Sequence, residues 1–117
     1  MVKMVIKKFL VSRYQLKLGH EMSATWSGKR IKARGIVACY GEEHRFIAYF
    51  LTSDSLVPDP VYVVNNKVGA IFLPFKEMCP FVDMLRNEKP IYAYLNSDKP
   101  EWNSISTSME PVGEEET

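Results

Sequence analysis

Residues 61–96 read VYVVNNKVGAIFLPFKEMCPFVDMLRNEKPIYAYLN, and this stretch decides most of what the chain can fold into. Two β-rich runs flank Asn65-Asn66, a pair that tolerates the positive φ of a tight turn, so Val61 to Leu73 reads as a hairpin. In the next segment Met78, Phe81, Val82 and Leu85 recur at the i, i+3, i+4, i+7 spacing of one helical face. Lys76, Glu77, Asp83, Arg86 and Asn87 then face water. Pro80 would remove a backbone bond from a helix interior, which sets the start of the helix near Met78, with Pro80 in its first turn. The spacing predicts one helix over residues 78–88, burying Phe81, Val82 and Leu85. A helix with a single apolar stripe needs a sheet to cover. Ile91 to Asn96 supplies one of its strands.

Working outward, the N-terminal half is β throughout. Apolar alternation from Met4 to Leu18 predicts one long first strand, bent or bulged near Ser12, with Phe9 and Val11 on the opposite face and Gly19-His20 ending it. Met22–Trp26 and Arg30–Tyr40 flank Ser27-Gly28-Lys29, a hairpin signal, and Gly35 marks a bulge or corner. Arg45–Thr52 is apolar on both faces, as in a covered central strand. Ser53–Pro60 is a loop by its Pro, Ser and Asp content. Ser104–Glu110 alternates Ile105, Thr107 and Met109 with serines, giving a last strand with one hydroxyl-lined face. The fold class expected is α+β: a mainly antiparallel, partly closed barrel or bent sheet, OB-like in element order, with one packed helix.

A chain of 117 residues with 46% hydrophobic and 25% charged residues is one ordinary globular domain, here residues 1–110, followed by an acidic tail, 111–117. Cys39 and Cys79 both lie in apolar surroundings and read as buried free thiols, which favours a reducing compartment. The start, MVKMVIKKFLVSRY, carries lysines within its apolar run and no cleavage site, and no segment is long enough to cross a membrane. The expectation is a cytoplasmic protein.

The net charge of +1 hides an asymmetry. Residues 1–40 hold nine basic residues against Glu21 alone, a surplus of +8, and the remaining 77 hold six basic and thirteen acidic, a surplus of −7. Either the basic half presents a polyanion-binding surface, or strands of the two halves interleave and the charges pair. Known catalytic and nucleotide-binding motifs are missing: the sequence contains no GxxxxGK[ST], GxGxxG, HExxH, GxSxG or paired CxxC. Cys39 and His44 could offer two of the four ligands that a structural zinc needs, and no second ordered pair follows. No catalytic residue, metal or other cofactor is expected.

The strongest candidate surface is the wet side of the N-terminal strands. Lys29, Arg30, Lys32 and Arg34 cluster on one hairpin arm, with Arg13 and Lys17 on the first strand. Strand periodicity places Arg30, Lys32 and Arg34 on one face, opposite Ile31 and Ala33. Cations interleaved with aromatics suit single-stranded nucleic acid, the charges meeting phosphates and the rings meeting bases. Trp26, beside a turn, and Trp102, in a loop, are the aromatics least bound to an apolar register. The expected function is a non-enzymatic binding module holding an anionic partner, either single-stranded nucleic acid or an acidic protein surface. The alternative is an accessory or assembly subunit that docks on a protein.

The runs NEKPIYAYLNSDKPEWNSISTSMEPVGEEE and WSGKRIKARGIVACYGEE resemble a family of small uncharacterised proteins associated with oxygenic photosynthetic bacteria. That resemblance implies no activity and transfers no site residue.

Overall fold

The structure, a computed structural model, describes residues 3–109. The strands are β1 (Ile6–Leu10), β2 (Arg13–Trp26), β3 (Lys29–Tyr40), β4 (Arg45–Leu51), β5 (Val61–Val63), β6 (Val68–Pro74), β7 (Ile91–Asn96) and β8 (Ser104–Thr107), with one helix, α1 (Met78–Asn87). They form two sheets, a small one ordered β1-β7-β8 and a larger one ordered β2-β3-β4-β6-β5. The sheets do not close into a barrel, so the expected α+β class holds without the expected OB-like closure. Every ladder is antiparallel except β4–β6. That exception follows from the long connection after Leu51, which passes β6 by, lays down β5 at the edge and returns through a 3-10 turn at Val64–Asn66. The left-handed residue of this turn is Lys67, at φ 57°, rather than either asparagine.

The predicted first strand is two strands in two sheets. The Val11 amide donates to the Ile91 carbonyl at 2.9 Å and the next amide, of Ser12, donates to the Tyr40 carbonyl at 2.8 Å, so the chain changes sheets between adjacent residues. Nor does Gly19-His20 end the strand. Instead the β2–β3 register shifts between Leu18 and Met22, opposite a matching shift between Ala33 and Gly35 in the β3–β4 ladder. These bulges bend the long hairpin. Its tip turns through Ser27 and Gly28, both at positive φ (52° and 76°), as a two-residue hairpin turn requires. The bend brings Trp26, which lies beyond the last β4 partner, edge-on to Tyr49 and Phe72 at 5.9 and 6.1 Å between ring centres.

The main core lies between the two sheets and the helix. Phe46, Ala48 and Phe50 from β4 meet Ala93 and Leu95 from β7 and Leu85 from the helix. Phe81 stacks on Phe46 at 6.5 Å and stands edge-on to Phe50 at 5.4 Å. Leu85 and Met78 are buried, while Phe81 and Val82 are half-buried against the same cluster. Gly69 is required where β6 passes β7: a Cβ there would sit 2.1 Å from a Leu95 methyl carbon. A second, smaller cluster occupies the other face of the large sheet, where Ile31, Ala33, Tyr49, Leu51, Ala70 and Phe72 pack together. Two buried asparagines tie the ends of the sheets. Asn96 accepts the Asp98 and Lys99 amides at 2.9 and 2.8 Å on its Oδ1. Asn103 accepts the Asn96 amide at 2.9 Å and donates to the Val61 carbonyl at 3.0 Å. The tail expected at 111–117 lies outside the described residues. No helix among them is long and apolar enough to cross a membrane.

Candidate binding face

Ladder register assigns every paired residue of the large sheet to a face, because directly paired residues point the same way. One face carries the rows Tyr14-Cys39-Phe46-Gly69-Tyr62, Leu16-Val37-Ala48-Ile71 and Leu18-Gly35-Phe50-Leu73, and it packs against the helix and the small sheet. The opposite face carries Arg13-Tyr40-Arg45-Val68-Val63, then Gln15-Ala38-Ile47-Ala70-Val61, then Lys17-Ile36-Tyr49-Phe72. Among the described residues no helix or second sheet covers it. The bent hairpin tip shelters the end at Tyr49 and Phe72. At the other end Ile36, Ala38, Tyr40 and Ile47 stay half-exposed, with Arg13, Lys17 and Arg45 exposed around them.

These three rows contain three cations and no carboxylate. Tyr40 stands between Arg13 on β2 and Arg45 on β4, and the Arg13 guanidinium lies over its ring, 5.1 Å from the centre. A phenol ring with one guanidinium over it and a second arginine opposite it on the next strand, on an apolar floor, can present charge to an anion and a flat surface to a ring. Beyond the rows, Lys29 and Trp26 pair with each other at the hairpin tip and share this face.

The residues expected to form the site therefore separate. Arg13, Lys17, Lys29 and Trp26 lie on the open face, although Trp26 is spent on the Tyr49–Phe72 cluster. Arg30 and Lys32 point to the opposite side of the hairpin, paired with Thr25 and Ser23. Lys32 is held by Asp54 of its own chain at 3.2 Å. Arg34 falls within the bulge and lies over the Phe75 ring, 4.6 Å from its centre. Of the expected trio, Lys32 is thus held by a carboxylate of its own chain, while Arg34 lies over a ring as Arg13 does, but away from the open face. Trp102 sits in a 3-10 turn, Pro100–Trp102, 55% exposed with Lys99 over its ring, beside β5 at the far edge from Arg13. Tyr40 and Arg45 complete the site, and neither was among the expected residues. The signal was present: the four-residue turn Gly41–His44 sets Tyr40 opposite Arg45.

Burial pushes the Cys39 thiol up to about 12, which keeps it protonated and unreactive. His44 sits between the rings of Phe9 and Tyr62, at 5.8 and 6.5 Å. Burial, then the charges of Lys7 and Lys67, hold its imidazole below the ordinary value. Cys79, expected to be buried, is exposed, because its position in the first helical turn lies off the stripe of Met78, Phe81, Val82 and Leu85. Among the described residues no three His, Cys, Asp or Glu side chains come together as a metal site. No protein-family model, curated protein or solved structure matches this chain.

Proposed function

We propose that the chain is a non-enzymatic binding module whose open sheet face holds an anionic partner, and that the partner is single-stranded nucleic acid. The observation that carries the reading is the Arg13-Tyr40-Arg45 row, two cations beside an aromatic ring on a face whose paired positions hold no acid. A flexible polyanion with exposed rings uses both features, phosphates meeting the guanidinium groups and a base meeting the Tyr40 ring. A cytoplasmic location suits this role, since an exposed, unpaired thiol such as Cys79 stays reduced there.

The test is fluorescence anisotropy with a mixed-sequence single-stranded oligonucleotide across a salt series. Three phosphate contacts release counterions with a slope of log K against log salt of about −2. No binding at low salt ends the nucleic-acid reading. Binding with a flat salt dependence would move the partner to a class held by something other than charge.

A further inference from the structure

We propose that two copies of this chain pair through the edge of β2, residues 13–18, as an antiparallel two-fold dimer centred on Leu16. β2 is the longest strand of the fold and yet stands at a sheet edge, paired only with β3 among the described residues. Its helix-side row is apolar and open: Tyr14, Leu16 and Leu18 are 37%, 43% and 69% exposed. Those three continue the rows of Cys39, Val37 and Gly35, so the main core runs out to this edge without a cover. Natural sheets usually blunt an exposed edge with short strands, charges or bulges. The opposite edge does so, since β5 has three residues. On β2 the bulge after Leu18 limits the flat run to the six residues from Arg13.

The sequence of this run selects both the occupant and the register. When an antiparallel pair is centred on Leu16, Leu16 meets its own copy and Tyr14 meets Leu18, which leaves an apolar row on the core side. On the open face Gln15 meets Lys17 and Arg13 meets Gly19, so no cation stands opposite a cation. Centring on Gln15 would set Arg13 against Lys17, and centring on Lys17 would set that lysine against itself, both like-charge pairs that destabilise a ladder. Only the Leu16 centre pairs apolar with apolar throughout and sets no cation directly opposite another, Lys17 standing diagonal to the cations of the second copy. Because the contact uses the same patch on both copies and each copy has one such edge, association closes at two. The dimer is argued independently of the anion-binding reading. Where both hold, Arg13 and Lys17 of the two copies flank one seam and the cationic face becomes continuous across ten strands.

Sedimentation velocity of the full chain over about 1 to 500 µM tests it, a range that covers dissociation constants from micromolar to submillimolar. The expected result is conversion from monomer to dimer with rising concentration, and a monomer throughout for Leu16→Lys, which stays folded by circular dichroism because Leu16 stands partly exposed on an edge strand, where a lysine head can reach water. Register is read by oxidation in a Cys79→Ser background. Leu16→Cys should crosslink two copies, its paired Cα atoms being about 5 Å apart, whereas Leu18→Cys, about 14 Å from its own copy, should not. A wild-type chain that stays monomeric, a dimer that survives Leu16→Lys, growth beyond two copies, or equal crosslinking through Leu18→Cys would each overturn the proposal.

Discussion

The guanidinium of Arg13 lies 5.1 Å from the centre of the Tyr40 ring, its direct partner across the β2–β3 ladder, and both face away from the main core. Such an exposed contact contributes about 0.5 to 1 kcal/mol at most. If the pair served folding, a loss well above that would follow its removal. Arg13→Ala should therefore change stability by less than about 1 kcal/mol in a urea titration. A loss several-fold larger would make Arg13 a structural residue.

The buried asparagines are the opposite case. In Asn103→Ala the Asn96 amide loses its acceptor and the Val61 carbonyl loses its donor, both at the junction of the two sheets. Leaving a buried polar group unpaired costs about 1 to 3 kcal/mol each, so the variant should be among the least stable single substitutions outside the apolar core. Thermal unfolding checks this. A melting temperature within a degree or two of wild type would mean that water replaces both bonds.

At Gly69 the space decides. A Cβ would come within 2.1 Å of a Leu95 methyl carbon, and Leu95, on β7, is fully buried. Gly69→Ala should destabilise by about 1 to 3 kcal/mol through overpacking, despite the alanine side chain being the smallest one available. Leu95→Val in the same chain should recover part of that loss in a denaturant titration, whereas additive losses would place the strain elsewhere.

Acid should lower stability over two pH ranges. Native His44 resists protonation because it is packed among Phe9 and Tyr62 and faces Lys7 and Lys67, with Glu43 opposing them weakly. The unfolded chain takes up that proton first, so stability falls as pH drops below about 6.5 and levels off only once native His44 also protonates. Glu43, lowered by its hydrogen bond from Lys67, and Asp54, lowered by Thr52 and then Lys32, act in the same direction at lower pH. Each is native-ionised where the unfolded chain is not, and stability is lost as pH falls below about 4.5 and 3.8 respectively. In His44→Phe the first decline should vanish and the second remain.

Much of this architecture is legible in the sequence, and the limits have physical causes. Helical spacing marks α1 because one stripe repeats over two turns. The β2–β3 turn is marked by Gly28, and the bulge in β3 by Gly35. The break at Val11-Ser12 is visible as a change of parity, apolar Phe9 and Val11 giving way to apolar Tyr14, Leu16 and Leu18, but periodicity alone does not say that the halves enter different sheets. The parallel β4–β6 pair depends on where a nine-residue loop, Thr52 to Pro60, delivers the chain, which no local signal states. For the site, alternation correctly set Arg30 and Lys32 on one side of their strand. It could not show that the open face of the sheet is the other side, nor that Asp54 and Phe75 come back to meet Lys32 and Arg34.

The measurement that bears most directly on the open face as a binding surface compares two triple variants with equal loss of charge. Arg13→Ser/Lys17→Ser/Arg45→Ser removes the cations of the three open rows, and Arg30→Ser/Lys32→Ser/Arg34→Ser removes those of the hairpin arm. With a mixed-sequence single-stranded oligonucleotide, the first should lower affinity by about tenfold or more per lost contact and flatten the salt slope, while the second changes affinity by severalfold at most. Equal losses in the two variants, or a larger loss in the second, would contradict the assignment of binding to the Arg13-Tyr40-Arg45 face.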